Sequence, residues 1–510
     1  MATVPPPPSK RRKLEAELRT REQNDQPPPS GNVRVRFVDR ATNEQVGSTV
    51  AIPLAQATTK NLNVLLNSLK GLDDAAERVP HRFFVRREST AGVSTQAIAD
   101  GSDLHGAVEN TEEEISLEYE PQAVFRVRAV SRCSASISGH GQVILAAQFS
   151  PASSSKLVTG SGDATARIWD CETGTPVSTL KGHTKFILAV SWSPDDTMIA
   201  TGSDDSTVRL WDKKGKPLGN ALKGHTKSVM SLSWEPYHIQ EPGRPRLASS
   251  SRDATVRIWD AVSKRCDIVL SGHKDSVTCV RWGGTGVIYT ASLDRTIKIW
   301  SASTGILEHT LSSHAARVNH LALSTDFALR TAFHDHTREV PATTEEKIAK
   351  AKEQFKNAAT FNGEVTERLV SASDDLTMFL WEPSKSKKPL ARLQGHQKPV
   401  NHVTFSPDGL YIASASFDNH VKLWSARDGK FISTLRGHVS DVYQCCFSPD
   451  SRLLVSASKD TTLKVWDVAK GTLKEDLPGH QDEVYAVDWS PDGERVGSGG
   501  KDRAVRLWRH

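Results

Sequence analysis

No apolar run in these 510 residues approaches the ~18 residues that a membrane span needs. Cysteine is scarce: Cys133, Cys171, Cys266, Cys279, Cys445 and Cys446 make no C-x-x-C pair, and several sit at apolar strand positions. That excludes a disulfide framework and implies a reducing compartment with structural thiols. The first thirty residues have no apolar core, so they do not read as a secretory signal. A P-loop, zinc-ligand spacing and a G-x-S-x-G elbow are all missing, which removes the common signatures of nucleotide, metal and acyl-transfer chemistry. Charge of either sign is not in great excess: the net charge is +5 and the pI about 8.7. That permits an anionic partner without requiring one. No aromatic-rich nucleic-acid motif stands out, so RNA would be met by scattered Lys and Arg on its backbone.

What is present is repetition. Eight times a histidine is followed by an Asp-x5-Trp: His140, Asp163, Trp169; His183, Asp205, Trp211; His225, Asp253, Trp259; His273, Asp294, Trp300; His314, Asp375, Trp381; His396, Asp418, Trp424; His438, Asp460, Trp466; His480, Asp502, Trp508. Successive histidines are 41 to 48 residues apart, except for 82 between His314 and His396, a gap that holds one unit because only Trp381 keeps the spacing there. In the unit from His396, Val400 to Phe405 reads as a strand, Ser406-Pro407-Asp408-Gly409 as a tight turn, Tyr411 to Ser416 as a second strand and Val421 to Trp424 as a third. The unit resembles the WD repeat, whose four-stranded sheets form the blades of a propeller.

That resemblance implies a buried hydrogen-bonded network of His, Ser/Thr, Asp and Trp in each unit. The serine two before each aspartate (Ser161, Ser203, Ser251, Ser292, Ser373, Ser416, Ser458) is the matching hydroxyl, and Gly500 at that place predicts an incomplete eighth network. Eight copies of a Ser-His-Asp set have no catalytic use, whereas buried polar groups need partners in any case. The chain stops two residues after Trp508, so the last unit lacks an outer strand; Val124 to Ala129, apolar and basic by turns, is expected to supply it. Two units are enlarged between their first and second strands: the third by Glu235 to Arg246, the fifth by about residues 325–367. In the latter Thr343-x-x-Glu346 is a capping box, and Ile348, Ala351 and Phe355 recur at helical spacing. Both enlargements replace the same turn, so both should project from one end of the disc, either as tolerated loop growth or as a partner-docking face.

Residues 1–30 are rich in proline and charge and are expected to be disordered. Within them Lys10, Arg11, Arg12 and Lys13 form a cluster of the nuclear-import kind, although a plain solvated tail has the same look. From Val33 the pattern turns globular. Val33, Val35 and Phe37 alternate as a strand, Thr49 to Leu54 is a second, and Leu62, Leu65, Leu66 and Leu69 form one face of a helix. Phe83 to Val85 and then Ile115, Leu117 and Tyr119 complete an arrangement that resembles a ubiquitin-like fold. The expected architecture is a small α+β ubiquitin-like domain over 31–120, then an all-β eight-bladed WD-repeat propeller over 121–510.

This pairing, with the junction from Pro121 to Val130, resembles the Notchless family of large-subunit ribosome assembly factors. The resemblance implies a non-enzymatic, monomeric protein of the nucleus and nucleolus, with no membrane partner. Its propeller would sit on the large-subunit pre-ribosome, touching ribosomal proteins and the rRNA backbone. Its ubiquitin-like domain would engage midasin, an AAA ATPase with a metal-ion-dependent adhesion site, and transmit the ATP-driven pull. The chain itself would bind no metal; it would complete the partner's Mg²⁺ in trans. The family's Thr-Glu before the last ubiquitin-like strand falls on Thr111-Glu112, making Glu112 the ligand, with Glu113 and Glu114 as alternatives of register. An ordinary solvated acidic loop would read the same way. The rival readings are a substrate adaptor of the ubiquitin system and a Notch-pathway signalling scaffold.

Overall fold

The structure, a computed structural model, describes residues 32–39, 45–53, 58–70, 81–89, 92–97, 114–121 and 125–510, the last apart from 338 and 362–363. The chain divides into two compact units, Met1–Phe125 and Arg126–His510.

In the first unit β1 (Asn32–Asp39) and β2 (Gln45–Pro53) pair antiparallel, α1 (Thr59–Leu69) follows, and β3 (His81–Ser89), β4 (Gly92–Ala97) and β5 (Glu114–Pro121) complete one sheet of order β2-β1-β5-β3-β4. The central pair β1 and β5 is parallel, with Val35 opposite Ile115 and Phe37 opposite Leu117. The alternation of apolar residues in β1 and the i, i+3, i+4, i+7 leucines of α1 face each other: Val35, Phe37, Leu62, Leu66, Phe83, Leu117 and Tyr119 form one buried cluster. Strand β4 was not anticipated, since Gly92–Ala97 carries little apolar patterning.

The second unit is a β-propeller of WD repeats. Among the described residues eight antiparallel sheets of three or four strands follow one another, each carrying one of the His…Asp…Trp units, and a two-stranded ribbon lies in the fifth sheet's insertion. Seven have four strands; the second has three plus the bridges Val208↔Leu222 and Trp211↔Pro217. Burial grades across each sheet for a geometric reason. Second strands such as Lys156–Ser161 are flanked by neighbouring sheets on both faces and are almost wholly buried, whereas fourth strands such as Thr175–Lys181 lie on the rim and are largely exposed. The eighth sheet meets the first closely: a Cβ on Gly499 would lie 2.6 Å from Ile144 Cγ2, so only glycine fits that seam. Asp488 of the eighth sheet accepts the Phe149 amide of the first at 2.8 Å.

The outer strand of the eighth sheet is Arg132–Ser138, paired with Ala504–Arg509, and not the expected 124–129. Val124 lies outside the described residues, and 125–130 form no strand. The misreading has a cause. A rim strand buries little and so carries no hydrophobic signature, whereas Val127 and Val130 are buried without being in a sheet. The Val127 amide is instead taken by Asp450 Oδ2 at 2.7 Å.

Candidate functional site

Each repeat histidine stands just before the first strand of its sheet, and each aspartate in the turn between the second and third. In the seventh sheet His438 Nδ1 lies 2.8 Å from Asp460 Oδ2, His438 Nε2 lies 2.8 Å from Ser456 Oγ, and Trp466 Nε1 donates to the same Oγ at 2.8 Å. An ionised carboxylate only accepts, so Nδ1 carries the proton and Nε2 accepts from the serine hydroxyl. The pattern holds in all eight sheets, with Thr159, Thr201, Ser249, Thr290, Ser371, Ser414, Ser456 and Ser498 as the hydroxyl.

The network hydroxyl therefore lies four residues before the aspartate, not two. The serine two before closes the turn instead: Ser161 Oγ donates to Gln142 O at 3.0 Å and accepts the Asp163 amide at 3.2 Å. Positions two apart in a strand share a face, so spacing could not choose between them. The choice is made by the Trp ring, which crosses from the third strand to the deeper position. The eighth network is accordingly complete: His480 meets Asp502 and Ser498 at 2.8 Å, and Trp508 donates to Ser498 at 2.9 Å. Gly500 loses only the turn-closing hydroxyl, and a Cβ there would fall 2.2 Å from Glu483 O.

Burial opposes ionisation of these aspartates, but their hydrogen bonds win. The Thr165 hydroxyl, the Gly141 amide and His140 hold the Asp163 carboxyl down at about 2. The network hydroxyls Thr159, Ser249 and Ser456 are fully buried and can meet no substrate. What the networks do is fix eight pairs of loops at one end of the strands.

The enlarged turns of the third and fifth sheets lie at the other end, and the structure brings them together. The fifth sheet's insertion carries α2 (Asp326–Thr331) and α3 (Thr344–Ala359), the latter opened by the Thr343/Glu346 capping box. Phe355 of α3 packs on Leu329 of α2, and Tyr237 of the third sheet's enlarged turn meets Phe333 edge-on at 4.9 Å. His238 stacks on Phe355 at 4.8 Å while its Nε2 donates to Gly284 O at 2.9 Å. A Cβ on Gly284 would lie 2.2 Å from Phe355, so the fourth sheet's glycine turn admits the helix. Buried Glu367 accepts from the Gly284 amide at 3.1 Å and the Tyr289 hydroxyl at 3.3 Å.

Helix α2 crosses the central channel, a cavity of about 410 Å³ lined by the first strands. Arg330 reaches the eighth sheet, donating to Asp488 Oδ1 at 2.8 Å and Trp489 O at 3.2 Å; Asp326 faces Arg281 of the fourth at 3.5 Å. Beneath it His320 Nδ1 donates to Val403 O at 3.1 Å, so its Nε2 accepts from Arg281 Nη2 at 3.0 Å, and the His402 ring lies 4.2 Å away. Burial, His402 and Arg281 hold His320 well below its ordinary value; burial and Arg281 push His402 down to about 3. Both rings are neutral at pH 7. A depressed histidine contributes stability that is complete above about 6.5 and is lost as pH falls toward the folded-state value. The channel leaves His402 partly open to solvent, so about 1–2 kcal/mol of the stability lost between pH 7 and pH 5 traces to it. Burial pushes Asp326 and Glu367 up, which acts in the opposite sense. The check is therefore a comparison: thermal melts at pH 7 and pH 5 should show a smaller acid loss in His402→Leu than in the unaltered chain.

The sequence-predicted partner residues fall elsewhere. Lys10, Arg11, Arg12, Lys13, Glu112 and Glu113 lie outside the described residues, and Glu114 opens β5. Among the described residues no group of three or more His, Cys, Asp or Glu could hold a metal ion.

The family model for the WD domain, G-beta repeat, matches residues 131–170, 174–212, 215–260, 264–301, 387–425, 429–467 and 471–509. The first three strands of the fifth sheet, split by its insertion, lie between the matched segments, and its fourth strand, Ala391–Gln394, falls inside one. The chain is 55% identical over 441 residues to ribosome assembly protein 4 of Chaetomium thermophilum, covering 85% of each. It is 48% identical to a Notchless protein homolog of Arabidopsis thaliana, covering 76% of this chain and 79% of that one. Among solved structures, the computationally designed Ika8 protein is similar with a TM-score of 0.57 at 26% identity, over 74% of this chain and 98% of that one.

Proposed function

This chain belongs to the ribosome assembly protein 4 and Notchless family of WD-repeat proteins, and from that premise we propose that it is a non-enzymatic assembly factor of the large ribosomal subunit. One observation carries the reading. The match to ribosome assembly protein 4 spans 85% of this chain, more than the Arg126–His510 unit alone can supply, so it runs into the N-terminal unit as well. In this reading the second unit, Arg126–His510, is a closed eight-bladed propeller that docks on the nuclear pre-ribosome. Residues 31–120 are a ubiquitin-like domain; the order β2-β1-β5-β3-β4 around a parallel β1/β5 pair with one helix supports it. Lys10 to Lys13 direct nuclear import ahead of nucleolar assembly.

The ubiquitin-like domain binds the adhesion site of midasin, with Glu112 placing a carboxylate on the partner's Mg²⁺ and Glu113 and Glu114 as alternatives of register. Mg²⁺ holds its ligands at ~2.0–2.1 Å with near-octahedral geometry, so side-chain reach matters as much as charge. The test is a pull-down of the full chain with midasin's adhesion-site domain in Mg²⁺ and in chelator. Glu112→Ala and Glu112→Asp should each weaken capture about tenfold or more, on the scale of one lost charged contact, and chelator should do the same. Capture indifferent to all three would discard Glu112 while keeping midasin. Absence of any capture, together with absence from pre-ribosomal fractions of a gradient, would discard the function.

A further inference from the structure

The loops fixed by the networks are not electrically uniform. On the seventh and eighth sheets the lysines are neutralised, Lys459 lying 3.8 Å from Asp441 and Lys501 3.3 Å from Asp482 and 3.6 Å from Glu483, and only Arg503 there is exposed without a carboxylate partner among the described residues. On the third and fourth sheets the lysines are not. Lys227, Arg252, Lys274 and Arg295 are all exposed, and among the described residues none has a carboxylate partner. Lys227 and Lys274 follow network histidines, and Arg252 and Arg295 adjoin network aspartates, so all four stand at one end of the strands.

A chain of hydrogen bonds makes this arc rigid from the second sheet to the fourth. The Asp204 amide donates to Phe186 O at 2.8 Å, the Ser228 hydroxyl to Asp204, the Arg252 amide to Ser228 O at 2.9 Å, the Ser276 hydroxyl to Arg252 O at 3.3 Å and the Leu293 amide to Ser276 O at 3.0 Å. At its end Phe186 is 46% exposed, beside a recess of about 420 Å³ that reaches Gln142 and Ala164 of the first sheet.

We infer that this arc is a docking surface for single-stranded RNA, with Lys227, Arg252, Lys274 and Arg295 on successive phosphates and a base stacked on Phe186 in the recess. Unpaired cations on separate rigid loops suit an evenly spaced polyanion, and a ring beside an open recess suits a π-face that every base has. An acidic protein segment would meet the cations equally but would leave Phe186 without a partner. The inference rests on the ribosome-assembly reading and gives it a site.

The experiment is fluorescence anisotropy of the full chain with a labelled 20-nucleotide mixed-sequence RNA across a salt series. Lys227→Ala/Arg252→Ala/Lys274→Ala/Arg295→Ala should reduce the slope of log K against log salt by about 3, or about 0.7 per lost phosphate contact. Phe186→Ala should weaken binding about fivefold or more and leave the slope unchanged. A matched quadruple at the opposite end, Lys213→Ala/Lys214→Ala/Lys216→Ala/Lys264→Ala, should change neither by a comparable amount. Lys274→Ala alone, expected to lower the slope by about 0.7, keeps the test valid should the quadruple fold poorly. Equal slopes for the two quadruples would overturn the inference. So would a poly-glutamate peptide that binds the arc more tightly than RNA, since it would assign the surface to an acidic protein. Glu112→Ala should bind RNA as the unaltered chain does, so loss of the midasin contact and loss of this one are separable.

Discussion

Asp460→Ala lowers the stability of the propeller by about 3–5 kcal/mol, because it leaves three donors unsatisfied at roughly 1–3 kcal/mol each. The carboxylate accepts from His438 at 2.8 Å, the Val439 amide at 3.0 Å and the Thr462 hydroxyl at 2.7 Å, and alanine leaves these donors in a site where the His438 side chain is 1% exposed. Ser456→Ala costs about 2–4 kcal/mol, because it orphans both His438 Nε2 and Trp466 Nε1 at roughly 1–3 kcal/mol each. Ser458→Ala costs less: its hydroxyl only closes a turn, donating to the Ser440 and Asp441 carbonyls and accepting the Asp460 amide, and glycine fills the same place in the eighth sheet. Urea unfolding followed by tryptophan fluorescence decides the order. If Ser458→Ala proved more damaging than Ser456→Ala, the network as described would be wrong.

Asp488→Ala costs a similar about 3–5 kcal/mol for a different reason. This side chain, 9% exposed, takes both the Arg330 guanidinium and the Phe149 amide at 2.8 Å, so it holds the channel-crossing helix and the seam between the last and first sheets together. Removing it strands a guanidinium that is only 23% exposed. Arg330→Ala in the same chain should recover part of the loss, as a coupling of about 1 kcal/mol or more in a double-mutant cycle. Additive losses would mean that α2 is held by its packing alone. Hydrogen exchange should report faster opening of 326–331 in Asp488→Ala before any change in the fourth strands.

The His, Asp and Trp of every network, the capped helix α3 and the single sheet inside the 82-residue gap were legible as pattern. Each is a local consequence of period, spacing or capping chemistry. The hydroxyl partner was not legible, because positions two and four before the aspartate share a strand face, and only the tryptophan reaching across from the third strand selects Thr159 or Ser456. Nor was the closing strand: Arg132–Ser138 runs along the rim, where hydrophobic patterning has nothing to report. Repeat number and element type follow from interactions within about 40 residues, which a sequence displays. The Arg330–Asp488 contact joins residues 158 apart, and the Phe149–Asp488 bond residues 339 apart. The unneutralised arc of Lys227, Arg252, Lys274 and Arg295 likewise depends on which loops become neighbours when the sheets pack side by side. Those pairings exist only once the ring is built, so tertiary structure alone decided them.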